Sequence, residues 1–379
     1  MIQQTTIGII GGGQLAKMVS QSAKQIGFHV RILDPTPNSP AGQVSDEQVI
    51  GDLYDPQALK EFIAGNDVTT YDIEHIDTAT LKLIAEQQSA IYPAPRILEL
   101  IQDKFLQKQM LIAAGIPTSK FAKVEDYNDL QKTIETQGFT YPIVQKACKG
   151  GYDGKGVQIL NSAEDLPKAL KTESFIEEFV DLDKELAVNI TRGLSGEITL
   201  HPVVEMVFDP ELNLCDLVIA PAQIGEHHAA ESLKIGEKVL QALGEGAIGI
   251  FAIELFLTKD GKILVNEIAP RPHNSAHYSI EACITSQFEQ HIRAITGLPL
   301  GSTTLLSPAV MVNILGPKDY EGPVTIEKIT ELLSIPGLSL HLYGKSLSKP
   351  GRKIGHCTIL DSDVNEAVKK AEIAKKLLA

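Results

Sequence analysis

Cysteine is scarce: Cys148, Cys215, Cys283 and Cys357 are the only ones in 379 residues, and no two form a Cys-x-x-Cys pair. Scattered thiols of this kind argue against a disulfide-stapled scaffold and a structural zinc site, and fit a reducing compartment. No apolar run reaches the length of a membrane span, and the chain leads straight into the strand-like Thr5-Thr-Ile-Gly-Ile-Ile10 without a secretory leader. A cytoplasmic location and no membrane partner are expected. Excess positive charge is also missing. The formal net charge is −14 and no basic stripe interrupts it, which argues against nonspecific nucleic-acid binding. The phosphate-binding pattern Gly-x-x-x-x-Gly-Lys-Ser/Thr is absent as well. What remains is ordinary globular composition, 43% apolar and 22% charged, with length for more than one domain.

Against that background one stretch stands out. The run Tyr141 to Val144 reads as a strand and Val157-Gln-Ile-Leu160 as another. Between them Gly150, Gly151, Gly154 and Gly156 interleave with Lys149 and Lys155, and Lys146 precedes them. Glycine lets backbone amides approach a ligand closely, and lysines beside free N–H groups attract anions. The pattern reads as a flap over a polyphosphate. A hairpin with a floppy tip is the alternative.

The N-terminal region alternates strands and helices. Thr5 to Ile10 is a strand, Gly11-Gly-Gly-Gln-Leu-Ala16 opens a helix to about Ile26, and Phe28 to Leu33 is a second strand ending in Asp34. Gly11, Gly13 and Ala16 satisfy the Gly-x-Gly-x-x-Ala frame, so a dinucleotide-binding dehydrogenase is one reading. Pro35-Thr-Pro37 crowds the place an adenosine ribose needs, and no second alternating set supplies a catalytic His or Lys. Strands at Gln48–Ile50 and Asp67–Tyr71, with helices at Pro56–Ala64 and Thr78–Glu86, extend a parallel sheet covered on both faces. Ligands meet such sheets at the C-terminal strand ends, which puts Tyr71-Asp-Ile-Glu74-His75 at a binding edge. Glu74 reads equally well as a solvated loop carboxylate.

Ile91-Tyr-Pro-Ala-Pro-Arg96 reads as a boundary. Beyond it come a helix from Asp103 to Ala113, a strand from Phe121 to Val124, a helix to about Gln137 and the flap. Phe175–Val180 and Glu185–Ile190 alternate as antiparallel strands do. The adjacent Glu177 and Glu178 then point to opposite faces, and the edge around them offers backbone groups to an adenine. The segment from Ala252 to Glu267 has Asp260-Gly261 at a hairpin tip. Counting back from a two-residue loop sets Glu254 opposite Glu267 on one face. Like charges so placed destabilise a ladder unless something neutralises them, and oxygen ligands at this spacing suit Mg²⁺. Protonation of one glutamate, or a bulge that shifts the register, is the alternative.

The strand continues into Ile268-Ala-Pro-Arg271-Pro-His273-Asn274-Ser275-Ala276-His277, where two prolines fix Arg271 and His273 beside the carboxylates. Arginine suits bidentate anion contacts. After about Gly297 the pattern turns to short strands (Ala309–Ile314, Leu338–Leu342), the basic turn Lys349-Pro-Gly-Arg352-Lys353, a strand to Leu360 and a lysine-bearing helix to Leu378. The basic turn is solvated surface unless the fold returns it to Arg271.

Taken together, Gly11-Gly-Gly-Gln-Leu15, Lys149-Gly-Gly-Tyr-Asp-Gly-Lys-Gly156, the Glu254/Glu267 hairpin, Asn266-Glu-Ile-Ala-Pro-Arg-Pro-His-Asn-Ser275 and Lys349-Pro-Gly-Arg-Lys-Ile-Gly-His356 resemble the ATP-grasp superfamily. Within it they resemble the N5-carboxyaminoimidazole ribonucleotide synthetases of purine biosynthesis, over essentially the whole chain. The resemblance implies mixed α/β and α+β architecture: a Rossmann-like pre-ATP-grasp domain (1–100), an ATP-grasp domain (101–297, flap about 120–180) and a small β-rich C-terminal domain (298–379). It implies that ATP, bicarbonate and 5-aminoimidazole ribonucleotide give the N5-carboxylated ribonucleotide, ADP and phosphate through carboxyphosphate, with two Mg²⁺ ions.

The resemblance also assigns residues. Lys104, Lys146, Gly151, Tyr152, Asp153, Gly154, Lys155, Gly156 and Val157 would hold the phosphates of ATP. Glu177, Glu178, Phe179 and Val180 would hold adenine, and Glu185 the ribose. Glu254 and Glu267 would bind metal, with Asn266 at the metal–phosphate end. Arg271 would take bicarbonate and carboxyphosphate; Glu74, Tyr152, Asp153, His273, Asn274, Arg352 and Lys353 would line the ribonucleotide pocket. Arg271, Asp153 and Lys353 are the catalytic set, Asp153 steering the amine. A homodimer is typical of the family. Three positions depart from its pattern: Lys104 where an arginine is frequent, Phe208 where relatives commonly carry a histidine, and Ala276 in place of a glycine.

Other ATP-grasp ligases, using formate on glycinamide ribonucleotide or carboxylating biotin, share the N-terminal, flap and metal features. The Lys-Gly-Gly-Tyr-Asp-Gly and Lys-Pro-Gly-Arg-Lys-Ile-Gly-His pieces favour the aminoimidazole enzymes. A non-catalytic binding module would be expected to have lost Glu254, Glu267 or Arg271, and all three are present.

Overall fold

The computed structural model describes residues 5–87, 90–151, 156–209 and 214–378. Tyr152, Asp153, Gly154 and Lys155 of the expected site lie outside the described residues. In the N-terminal region, β1 (Thr6–Ile10), α1 (Gln14–Ile26), β2 (His29–Asp34), β3 (Glu47–Ile50), α2 (Pro56–Ala64), β4 (Val68–Tyr71) and α3 (Thr78–Ala85) follow one another. The strands form a parallel sheet in the order β3-β2-β1-β4. Side chains alternate across its faces. Ile7, Ile9, Val30 and Ile32 pack on Leu15, Ala16 and Val19 of α1, while Ile10, Leu33 and Tyr71 pack on Leu59, Phe62 and Leu81 of α2 and α3. A distant segment completes the first face: Phe288, Ile292 and Ile295, on the helix Gln287–Thr296, join the α1 cluster.

The chain then runs through α4 (Pro95–Gln102) and α5 (Lys104–Ala113). Asp103 caps α5, its carboxylate accepting from the amides of Phe105 and Leu106. An antiparallel sheet of β5 (Phe121–Val124), β6 (Ile143–Ala147), β7 (Val157–Leu160) and β8 (Ser174–Glu178) follows in the order β5-β8-β6-β7, with α6 (Leu130–Thr136) packed against it. The flap stretch is the connection between β6 and β7.

The largest sheet begins with β9 (Leu182–Arg192), β10 (Ile198–Leu200), β11 (Val204–Phe208) and β12 (Cys215–Ala220). After α7 (Glu226–Leu243) it continues with β13 (Gly249–Thr258), β14 (Ile263–Ala269) and β15 (Ala309–Leu315). The strand pair β16 (Gly322–Pro323) and β18 (Leu347–Ser348) stands apart, whereas β17 (Leu338–Leu342) and β19 (Lys353–Leu360) return to the sheet. Its order is β14-β13-β9-β11-β12-β15-β19-β17, with β10 on β9. Strands after residue 297 therefore extend the same sheet. Its main core packs Leu186, Val188, Ile190, Phe251 and Ile253 against Ile235, Val239 and Leu240 of α7.

The β13–β14 hairpin departs from the expected two-residue loop. Thr258 and Lys262 bond to each other, so three residues, Lys259-Asp260-Gly261, form the tip, with Gly261 at φ +81°. Leu255 pairs with Val265, yet Glu254 pairs with Glu267, which makes Asn266 the extra residue of a β-bulge. The longer loop and the bulge offset each other. Glu254 still faces Glu267, and the bulge brings Asn266 to the same site.

Candidate active site

The three sheets converge on one cavity of about 1250 Å³, lined by Gly11–Leu15 and Asp72–Ala79 from the N-terminal region, Lys146 and Val157 from the flap sheet, and Glu185, Glu254 and Glu267 from the large sheet. Lys104, Gly151, Glu177, Glu178, Phe179, Val180, Asn266, Arg271, His273, Asn274 and Lys353 reach it too.

Its central feature is a set of carboxylates opposed by lysines. Burial, then the nearby Glu267 and Glu185 carboxylates, push Glu254 up to about 7, and burial pushes Glu185 up to about 7. Burial opposes ionisation of Glu267 as well, but Lys104, which contacts its Oε2, and Lys146 hold it below the usual range. Asn266 Nδ2 lies 3.4 Å from Glu254 Oε2, and His273 Nε2 lies 3.5 Å from Glu254 Oε1. An ionised Glu267 beside a Glu254 whose ionisation is suppressed for want of a counter-charge fits a hard divalent cation. Among the described residues no group of three or more His, Cys, Asp or Glu gathers as an all-protein metal cage. Two carboxylates and an amide leave coordination positions for phosphate oxygens and water, as Mg²⁺ requires.

Glu177 plays a part that its sequence position did not reveal. Its side chain is 3% exposed, with Oε2 2.6 Å from Lys146 Nζ and Oε1 2.6 Å from Lys108 Nζ. Despite burial, the two lysines hold the carboxyl at about 2. The Glu177 side chain is thus taken up inside the protein, while Glu178 turns outward and accepts from the Lys120 amide. Lys146 also donates to Asn266 Oδ1 at 2.9 Å. Lys108 was not foreseen, although its i, i+4 spacing from Lys104 on α5 placed both on one helix face.

The acceptor end of the cavity is equally organised. Arg271 Nε sits 2.8 Å from Glu74 Oε1, so Glu74 is a partner of the site arginine rather than a solvated loop acid. His273 Nδ1 bonds Ser275 Oγ at 3.0 Å, and its backbone N–H donates to Gln287. Asn274 and Asn313 exchange amide hydrogen bonds of 2.8 and 2.7 Å, a partner for which the sequence carried no signal. The basic turn does come back: Lys353 lines the same cavity as Arg271. Arg352 donates to Leu347 O at 2.9 Å and is not among the cavity-lining residues. Phe208 lines the cavity. Ala276 is fully buried, and its φ is not positive, so alanine brings no backbone strain there.

The α1 N-terminus, where a dinucleotide pyrophosphate would sit, is already occupied by protein carboxylates. Asp72 Oδ2 accepts from the amides of Gly13 (3.0 Å) and Ala16 (3.1 Å), and Asp34 accepts from Gly12 (2.8 Å) and Thr36 (2.8 Å). A Cβ on Gly11, whose φ is +98°, would lie 1.9 Å from Asp72 Oδ1. The glycines admit an internal anion, which removes the dehydrogenase reading.

Fold and site together define an ATP-grasp protein, and comparison with known proteins narrows this. The ATP-grasp domain family matches residues 109–288, the ribonucleotide synthetase preATP-grasp domain 4–102, and the phosphoribosylaminoimidazole carboxylase C-terminal domain 309–370. An N5-carboxyaminoimidazole ribonucleotide synthase of Staphylococcus aureus is 40% identical over 366 residues, covering 95% of this chain and 94% of the relative. The crystal structure of N5-carboxyaminoimidazole ribonucleotide synthetase from Thermotoga maritima superposes with a TM-score of 0.91 at 52% identity, covering 99% and 98% of the two chains. An Aspergillus clavatus N5-carboxyaminoimidazole synthase in complex with ADP and 5-aminoimidazole ribonucleotide gives 0.90 at 33% identity, covering 100% and 99%. The chain belongs to the N5-carboxyaminoimidazole ribonucleotide synthetase family.

Proposed function

We propose that this chain is an ATP-dependent carbon–nitrogen ligase that carboxylates 5-aminoimidazole ribonucleotide with bicarbonate, releasing ADP and phosphate, in purine biosynthesis. The observation that carries the proposal is the Glu254–Glu267 pair, joined by Asn266 through the bulge and faced by Lys104 and Lys146, in one cavity with Arg271 and Lys353. A polyphosphate and a small anionic acceptor fit opposite ends of such a cavity.

A bicarbonate oxygen attacks the γ-phosphorus of ATP and the bond to ADP breaks, giving carboxyphosphate. Its carbon–oxygen bond then breaks, phosphate leaves, and the carboxyl carbon joins the exocyclic amine, which gives up a proton. Negative charge moves onto phosphoryl oxygens throughout, so positioned cations and N–H donors do most of the catalysis. Lys104 and Lys146 hold the phosphates, and the flap segment from Gly151 to Val157 closes over them and excludes water from the labile intermediate. The backbone from Glu177 to Val180 holds adenine, and Glu185 the ribose. Two Mg²⁺ ions on Glu254 and Glu267, next to Asn266, would neutralise the developing phosphoryl charge. Arg271, fixed by Glu74, orients bicarbonate. His273, Asn274, Tyr152, Lys353 and Arg352 hold the ribonucleotide, and Asp153 steers the amine. The resemblance extends the proposal to a homodimer. Four buried, unbridged cysteines support a cytoplasmic setting.

Omission assays test the reading. ADP release should require ATP, Mg²⁺, bicarbonate and 5-aminoimidazole ribonucleotide together. Stimulation by glycinamide ribonucleotide in its place, or none by the aminoimidazole substrate in a folded protein that binds ATP, would overturn the acceptor assignment.

A further inference from the structure

Lys108 carries an ammonium group that the reaction above does not use. It is 2% exposed and does not line the large cavity. It borders a separate void of about 10 Å³, the size of one water, behind Lys104, Lys146 and Glu267. Its Nζ lies 2.6 Å from Glu177 Oε1 and 2.6 Å from Thr118 Oγ1, with Ser119 Oγ at 3.1 Å and Val265 O at 3.3 Å. A charge is costly to bury, and a hydrogen-bonded lysine held here needs a reason beyond packing.

The reason is visible in the charges. Glu177 bridges two lysines, with Lys108 on the buried side and Lys146 on the cavity wall. Two ammonium groups and one carboxylate leave one net positive charge. Without Lys108, Glu177 and Lys146 would form a closed neutral pair at 2.6 Å, and the wall would lose that charge. Lys104, which also faces the phosphates, does not make up the loss, because its own charge is offset by Glu267. Lys108 also ties β14 to β8, through Val265 O beside Asn266 and through Glu177.

We propose that Lys108 is a positioning residue for nucleotide binding: it neutralises Glu177 from behind and so leaves the charge of Lys146 to the phosphates. The inference rests on the ATP-binding reading of the cavity. It acts through charge, not through contact with the ligand.

Calorimetric titration of the full chain with Mg-ADP and with adenosine tests it. Lys108→Met should weaken ADP binding about tenfold or more, since one charge is removed beside a polyanion in a partly desolvated site. Adenosine binding should not change. Lys108→Arg should stay within about threefold of wild type. The double variant Lys108→Met/Glu177→Gln removes both buried charges, restores the net charge to that of Lys146 alone, and should recover ADP affinity to within about threefold. A merely structural role for Lys108 predicts the reverse, a double variant weaker than the single one. ADP binding by Lys108→Met at wild-type strength, equal losses for ADP and adenosine, or a double variant no better than the single one would each overturn the inference. If Lys108→Met does not fold, a folded double variant that binds ADP tenfold more weakly than wild type overturns it, and one within threefold supports it. A wild-type chain that binds no ADP would instead sink the nucleotide reading itself.

Discussion

Two places in one cleft are built to attract negative charge, and the protein treats them differently. At the start of α1, amides point into the cavity as they do toward a bound phosphate, but Asp34 and Asp72 take them. At the wall formed by α5, β6 and β14, Lys104, Lys108 and Lys146 pair with Glu177 and Glu267, one carboxylate fewer than the lysines. The donors of the first site are satisfied from within; the second is left short of an anion. Glycine-rich turns and lysine clusters therefore mean ligand only when the fold does not supply the counter-charge itself.

Substitution at the metal pair breaks the second site most severely. Glu267→Gln removes a carboxylate from the Glu254 pair and the partner of Lys104, and should lower ADP release about a thousandfold or more. A loss under about tenfold would mean that the pair does not organise phosphoryl transfer.

Glu177→Gln should act mainly on stability. It leaves two lysines buried without their carboxylate, a change worth about 3–5 kcal/mol in urea unfolding at pH 7. The pH dependence sharpens this. Because the folded carboxyl sits at about 2 against an ordinary 4.5, its stabilisation is complete above pH 4.5 and is lost as pH falls toward 2. The variant should lack that acid-sensitive component, and an unchanged acid transition would contradict the pairing.

Asp72→Ala breaks the first site. Two amides at the start of α1 lose their acceptor, at a cost of about 1–3 kcal/mol, while ADP affinity should stay within about threefold of wild type. A tenfold change in ADP affinity would show that the two sites are not separate. The smallest effect is an absence: NADH should show no fluorescence enhancement on mixing with the protein. An enhancement would restore the dinucleotide reading of the α1 glycines.

Much of this site could be read from the chain because it is local. The strands β6 and β7, the Pro-Arg-Pro turn and the facing glutamates are set by short-range pattern. Even so, Glu254 meets Glu267 for a reason the pattern did not contain, since a longer tip and the Asn266 bulge cancel. What could not be read is what folding brings from afar. Asp72 reaches Gly13 across 59 residues, Asn313 finds Asn274 across 39, and Glu177 accepts Lys146 from a neighbouring strand. The helix Gln287–Thr296 covers the N-terminal sheet, with His291 bonded to Thr70 across 221 residues. The Arg352-Lys353 pair was read as one basic feature, yet only Lys353 lines the cavity, because Arg352 is held by Leu347 O.

The most direct test follows one oxygen atom. Turnover with ¹⁸O-labelled bicarbonate, ATP and 5-aminoimidazole ribonucleotide should yield inorganic phosphate carrying one bicarbonate oxygen, because that oxygen attacks the γ-phosphorus and stays with it when the carbon leaves. Unlabelled phosphate released alongside carboxylated ribonucleotide would contradict phosphorylation of bicarbonate in this cavity.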